Sequence, residues 1–301
     1  MERIILDTDI GDDIDDAFAL AMLLHQRAEV HIEGITTVFR NSMQRAKIAK
    51  ALLTASGNAD IKVYPGADTP RKQKIYIAPF ETVGSDGKVN IPHYEEEMSG
   101  QEVGDYSATD FILQTLRNYP KQITLVAIGP LLNLAKACEY DSETFSLAKE
   151  ILFMGGQLQG DYAEWNIKCD PESADIVFHS GVPIKMVTLE TTQCCVLTSD
   201  DIRTLKMLDT KEAPILRKML EKWLQDNASR RPPIMYDPLT VSELTRSFCT
   251  FEEISVNLSL CDATRGMLCC GRNEPNSVKM SVSVGVRARE FLDYFLQTIC
   301  R

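Results

Sequence analysis

Asp7-Thr8-Asp9-Ile10-Gly11-Asp12-Asp13-Ile14-Asp15-Asp16 places six carboxylates within ten residues. The apolar run Ile4-Ile5-Leu6 stands just before it, and Ala17-Phe18-Ala19-Leu20-Ala21-Met22-Leu23-Leu24 just after it. The first run predicts a buried strand and the second the start of a buried helix, which makes the acidic stretch a strand-to-helix loop. Two ionised carboxylates about 4 Å apart repel by roughly 4 kcal/mol at a surface-like dielectric. Several converging on one loop therefore call for a positive partner, and a hard divalent cation, calcium or magnesium, takes oxygen ligands. Asp is also favoured at helix caps and in first turns, which by itself accounts for one or two of the six. Placement favours the cation: in open α/β sheets, ligands bind outside the carboxyl ends of the strands, where this loop would lie.

The rest of the chain bounds the partner. Its 301 residues, 44% of them hydrophobic, suffice for one large core, and no linker-like break divides them, so one domain over residues 1–301 is expected. A net charge of −11 argues against nucleic-acid and anionic-membrane surfaces, which need Lys/Arg patches, and favours a small-molecule substrate. Met1-Glu2-Arg3 runs straight into the first strand, and no apolar run reaches membrane-spanning length, so a cytoplasmic protein is expected. The nine cysteines show no C-x-x-C spacing and read as reduced thiols. The four histidines are scattered and read as surface or packing residues.

In order, strands are predicted near residues 31–39, 61–64, 122–128, 150–154 and 184–189, with helices between them, so the sheet is mostly parallel and covered on both faces. Asn41 sits at the end of the second strand, where it is also a natural helix N-cap. Residues 70–105 form a long polar loop, a candidate lid or binding loop. Residues 157–170, with Glu164-Trp165-Asn166, mix acid, amide and aromatic groups at another strand end, as a polar-ligand site needs, although an ordinary loop would read the same. Asp237, before Pro238 and a helical run, reads as a cap on its own. Strands near 254–260 and 278–284 and a closing helix over 287–299 complete the chain.

Taken together, these residues resemble the inosine-uridine preferring nucleoside hydrolases over nearly the whole chain. Asp7-Thr8-Asp9-Ile10-Gly11 followed by Asp15-Asp16-Ala17-Phe18-Ala19-Leu20 is similar to that family's opening D-x-D-x-G-x-D-D-A-x-A-L. Ile35-Thr36-Thr37-Val38 with Asn41 and Thr124 to Leu131 with Asn133 match further blocks, and so do Met154-Gly155-Gly156 and Glu164-Trp165-Asn166. Asp170-Pro171-Glu172, Asp237-Pro238-Leu239 and Thr264-Arg265-Gly266-Met267 follow in the family's order. The resemblance implies a Rossmann-like nucleoside hydrolase fold and calcium-dependent cleavage of the N-glycosidic bond of a ribonucleoside. It implies calcium ligands at Asp9, Asp16, Asp237 and the carbonyl of Ile128, with Asp15 as general base and Asp7 in support. It places Asn41, Met154, Glu164, Asn166, Tyr236 and Asp237 around the substrate, and suggests a homo-dimer or homo-tetramer.

Three features depart from the family pattern. The acidic loop is two residues longer than the short form, which leaves Asp12 or Asp13 as alternative ligands. The segment before Glu164 is shortened, with Asp161 as the candidate in place of an Asn that binds the ribose 5′ hydroxyl. Tyr236 stands where several members have His, and a phenol with a pKa of about 10 is a weaker acid for the leaving base. Two rival readings remain: a ribose- or nucleoside-binding protein that has lost turnover, and a haloacid dehalogenase-type phosphatase with Asp7 as nucleophile.

Overall fold

Nine strands form one sheet in the computed structural model, which describes residues 1–75, 77, 81–227, 232–270 and 276–300. They are β1 (Glu2–Thr8), β2 (Val30–Thr37), β3 (Val63–Pro65), β4 (Ile123–Ala127), β5 (Glu150–Met154), β6 (Ile184–Val187), β7 (Cys249–Leu258), β8 (Leu268–Cys270) and β9 (Val278–Val286). Their spatial order is β3-β2-β1-β4-β5-β6-β9-β7-β8. The first six and β9 are parallel, while β7 pairs antiparallel with both β9 and β8. The expected mostly parallel sheet is therefore present, with an antiparallel corner at one edge.

Alternation along the central strands sends successive side chains to opposite faces. Ile4 and Leu6 of β1 join Val126 and Leu152 in one core, and Ile5 joins Leu125, Ile151 and Phe153 in the other. The first core is covered by helices Asp15–His25, Ser42–Ala55, Ala213–Asp226, Tyr236–Ser242 and Ala288–Ile299. The second is covered by helices Ala108–Asn118, Leu132–Tyr140 and Pro171–Phe178. A run like Ala17 to Leu24, apolar on every side, makes sense here: its helix lies between the sheet and other helices, and Phe18 meets Phe295 edge-on at 5.7 Å.

Several short elements differ from the sequence expectation: helix Leu189–Thr192 begins inside the expected strand 184–189, and helix Ser142–Phe145 is not among the expected ones. Residues 165–169, read as loop, form a short helix (Trp165–Cys169), because the Glu164 carboxylate accepts from the backbone N–H groups of Asn166 and Ile167. The three-residue β8 is too short for its periodicity to be read. No helix among the described residues is long and apolar enough to cross a membrane.

Phe18→Ala is expected to lower unfolding free energy by about 3–5 kcal/mol in urea titrations. The control Tyr140→Ala, at a site 76% exposed, should stay within about 0.5 kcal/mol of the parent. Equal losses for the two would contradict this packing.

Candidate active site

The parallel strands run outward in both directions from β1, whose neighbours are β2 and β4, so the strand order reverses there. Helices must leave opposite faces of the sheet at this point, which opens a crevice beyond the carboxyl ends. A cavity of about 1280 Å³ occupies it. Asp9, Asp15 and Asp16 enter from the end of β1, Ile128 from β4 and Met154 from β5. Glu164, Asn166, Tyr236 and Asp237 complete the same wall.

Asp15, Asp16 and Asp237 each offer an oxygen within 4.8 Å of the others, and all three are buried. None is a helix cap: the cap positions are Ile14 and Met235, and neither makes a side-chain capping bond. The backbone N–H of Asp237 donates to Asp15 Oδ2 at 3.1 Å, and Thr8 Oγ1 donates to Asp16 Oδ1. Burial raises the pKa of each of these carboxyls well above the ordinary carboxylate range, and negative neighbours push the same way. Asp9 stands beside the group; burial pushes it up to about 7 although the Arg45 guanidinium opposes the rise. Gly129 is what lets it sit there, since a Cβ at that residue would fall 2.7 Å from Asp9 Oδ1. Buried carboxylates converging from two segments match the all-oxygen donor set of a hard divalent ion.

The remaining wall is tied together by backbone groups. Asn166 Nδ2 donates to the carbonyls of Ile128 at 3.2 Å and Met154 at 3.0 Å, joining the ends of β4 and β5. Glu164 also accepts from Gly156 N at 3.0 Å, so this carboxylate is a helix cap and a cavity group at once. Asn41 is set back: it is buried, accepts from Gln44 N as the cap of helix Ser42–Ala55, and lies outside the cavity lining, where Arg40 takes its place. Asp161 is exposed and outside the lining as well.

Asp7 lies outside the cavity lining. Its Oδ1 accepts from Thr36 Oγ1 at 2.5 Å and Asn133 Nδ2 at 2.7 Å, and burial pushes its carboxyl up to about 7 against those bonds. A phosphatase nucleophile would line the cavity, so this placement does not favour that rival. The two additional residues of the acidic loop have partners too. Asp12 Oδ2 accepts from Arg45 at 2.7 Å and lies 3.7 Å from Arg40, while its buried Oδ1 has no hydrogen bond; Asp13 Oδ1 accepts from Ile14 N.

Sequence reasoning missed three contributors. Arg45 is fully buried behind the loop. Arg40 pairs with Glu81 of the long loop, and both it and Phe39 adopt left-handed backbone angles, φ 62° and 70°, which cost about 1–2 kcal/mol each for residues with a side chain. His93 is buried in the cavity wall, its Nδ1 without a partner and its pKa pushed down to about 4 by burial. Glu81, Thr82 and the stretch from Asn90 to Tyr94 of the long loop line the cavity, as parts of a binding loop would; residues 76 and 78–80 of that loop lie outside the described residues.

The raised carboxyls set a pH dependence. Between an unfolded pKa of about 4 and the raised folded values, the native state holds more protons, so metal-free stability falls as pH rises. His93 acts oppositely, but only below its unfolded pKa of about 6.5. Thermal unfolding in chelator should therefore shift to lower temperature between about pH 6.5 and 8.5, and a saturating divalent cation held by the cluster should remove most of that shift. A metal-free Tm that is flat or rises over this window would contradict the buried cluster.

The comparisons agree with this geometry. The family model described as inosine-uridine preferring nucleoside hydrolase matches residues 4–293. Uridine nucleosidase 1 of Arabidopsis thaliana is 34% identical over 227 residues, a match spanning 72% of this chain and 65% of that protein. Among solved structures, a plant nucleoside hydrolase superposes with TM-score 0.84 at 26% identity, covering 99% of both chains. A purine-preferring ribonucleoside hydrolase from Gardnerella vaginalis gives TM-score 0.83 at 27% identity, covering 99% of this chain and 98% of that one. With the switch-point cavity and its acidic cluster in place, the chain belongs to the inosine-uridine preferring nucleoside hydrolase family and is an N-glycosyl hydrolase.

Proposed function

We propose that this enzyme hydrolyses the N-glycosidic bond of ribonucleosides to free base and ribose, with calcium as its cofactor and Asp15 as general base. The observation that carries the proposal is the convergence of Asp15, Asp16 and Asp237, from segments 221 residues apart in sequence (237 − 16), at the switch point of the sheet. Asp9, Asp16, Asp237 and the Ile128 carbonyl would hold the ion. When bound there, calcium supplies a Lewis acid that makes water a better nucleophile and orients the ribose diol.

The chain's own groups do the rest. Asp15, oriented by the Asp237 N–H on Oδ2, accepts the proton of the attacking water. Asn166 commits its nitrogen to two backbone carbonyls, which leaves its side-chain oxygen to accept from a ribose hydroxyl. Glu164 keeps a carboxylate close to the sugar, where negative charge favours an oxocarbenium-like transition state. Met154 and Tyr236, in the cavity wall, would border the substrate, and Asn41 would bind a ribose hydroxyl. Inosine and uridine are candidate substrates from the family's description, and the relatives named for uridine and for purines leave both base classes to be assayed.

One catalytic domain over residues 1–301 and a homo-dimer or homo-tetramer belong to the same proposal, the latter read by light scattering. A cytoplasmic location is proposed from the sequence, whose nine cysteines show no C-x-x-C spacing.

The test is reducing-sugar release from inosine, uridine, adenosine, cytidine and guanosine, with calcium and after chelation. Calcium-dependent release from at least one is expected. Asp15→Asn should lower kcat by about 10²–10⁴-fold with ribose binding retained. Ribose binding without turnover of any nucleoside by the parent would make this a binding protein and overturn the proposal.

A further inference from the structure

We propose that Arg45 is a positioning residue for the metal centre: its guanidinium clamps the acidic loop to the end of β2, with Asp12 as its counter-ion and not as a metal ligand. This rests on the calcium reading given above. Arg45 projects from helix Ser42–Ala55 and is completely shielded from solvent. Nε donates to the Phe39 carbonyl at 2.8 Å, Nη1 to the carbonyls of Asp9 and Ile10, and Nη2 to Asp12 Oδ2 at 2.7 Å. One planar fork thus spans two chain segments, the left-handed turn at Phe39 and the stretch from Asp9 to Asp12.

Asp9 is held from two directions by this arrangement. Its carbonyl is fixed by Arg45, and its backbone N and carboxylate lie against Gly129, where no Cβ would fit. With main chain fixed on one side and β4 pressed close on the other, the carboxylate has little freedom to leave the cavity. The same fork explains the longer loop. The additional acid Asp12 gives Arg45 a charged partner, shared with Arg40, and lies outside the group formed by Asp15, Asp16 and Asp237. Asp12, the carboxylate that the guanidinium hydrogen-bonds, joins Asp9 and Asp16 in compensating the buried charge.

Lysine separates geometry from charge, because an ammonium keeps the positive charge but cannot reach the carbonyls and Asp12 together. Arg45→Lys is expected to fold, with a far-UV spectrum like the parent's, and to bind calcium about 10–100-fold more weakly in titration calorimetry, as loss of an orienting partner does. Asp12→Asn keeps an oxygen for Nη2 and should hold calcium affinity within about threefold, whereas Asp16→Asn should lose at least the 10–100-fold of an outer partner. Parent-like calcium affinity in Arg45→Lys would overturn the clamp. A loss in Asp12→Asn as large as that in Asp16→Asn would overturn the counter-ion role by making Asp12 a ligand. A parent protein that binds no calcium would instead overturn the calcium reading itself.

Discussion

Mutual repulsion among buried carboxylates is the constraint on which the rest depends. Asp9, Asp15, Asp16 and Asp237 are taken out of water at one place, where each makes the ionisation of the next more costly. A stable chain can carry such a cluster only if the scaffold holds it rigidly and a cation balances it in use. The parallel sheet supplies rigidity, because the ends of β1, β4 and β5 are fixed relative to one another by ladder hydrogen bonds. Its switch point supplies the space.

Around that cluster the structure spends its buried polar groups on joining strand ends. Asn166 links β4 to β5, Asn133 links Asp7 to the Thr37 carbonyl and to Ala67, and Arg45 links the acidic loop to the end of β2. Each of these side chains satisfies backbone groups that the ends of strands leave unpaired. Glu164 does the same for the start of a helix while presenting charge to the cavity. Support and chemistry therefore share residues, and a mutation at Glu164 or Asn166 will disturb both.

Much of this was legible in the sequence for a local reason. A strand, an acidic loop and a buried helix are contiguous from Ile4 to Leu24, and alternation of strands with helices dictates a parallel sheet whose carboxyl ends must share one side. The family blocks then located Asp237, Glu164 and Asn166. What stayed hidden depends on distant pairing. Arg45 looks like any polar residue of a helix until the loop from Asp9 to Asp12 folds against it. His93 and Glu81 sit in a polar loop without periodicity, and only its path over the cavity gives them a place. Asn41 shows the converse: its motif position was clear, but its side chain caps helix Ser42–Ala55 and lies outside the cavity lining.

The most direct measurement is a crystal structure of the protein grown with calcium and ribose, refined with anomalous data to locate the ion. The account predicts one calcium coordinated by Asp9, Asp16, Asp237 and the carbonyl of Ile128, with Asp15 facing the anomeric carbon and Asp12 still on Arg45. Ribose bound with no ion at this cluster, or an ion held by Asp12 or Asp13 away from Asp237, would contradict it.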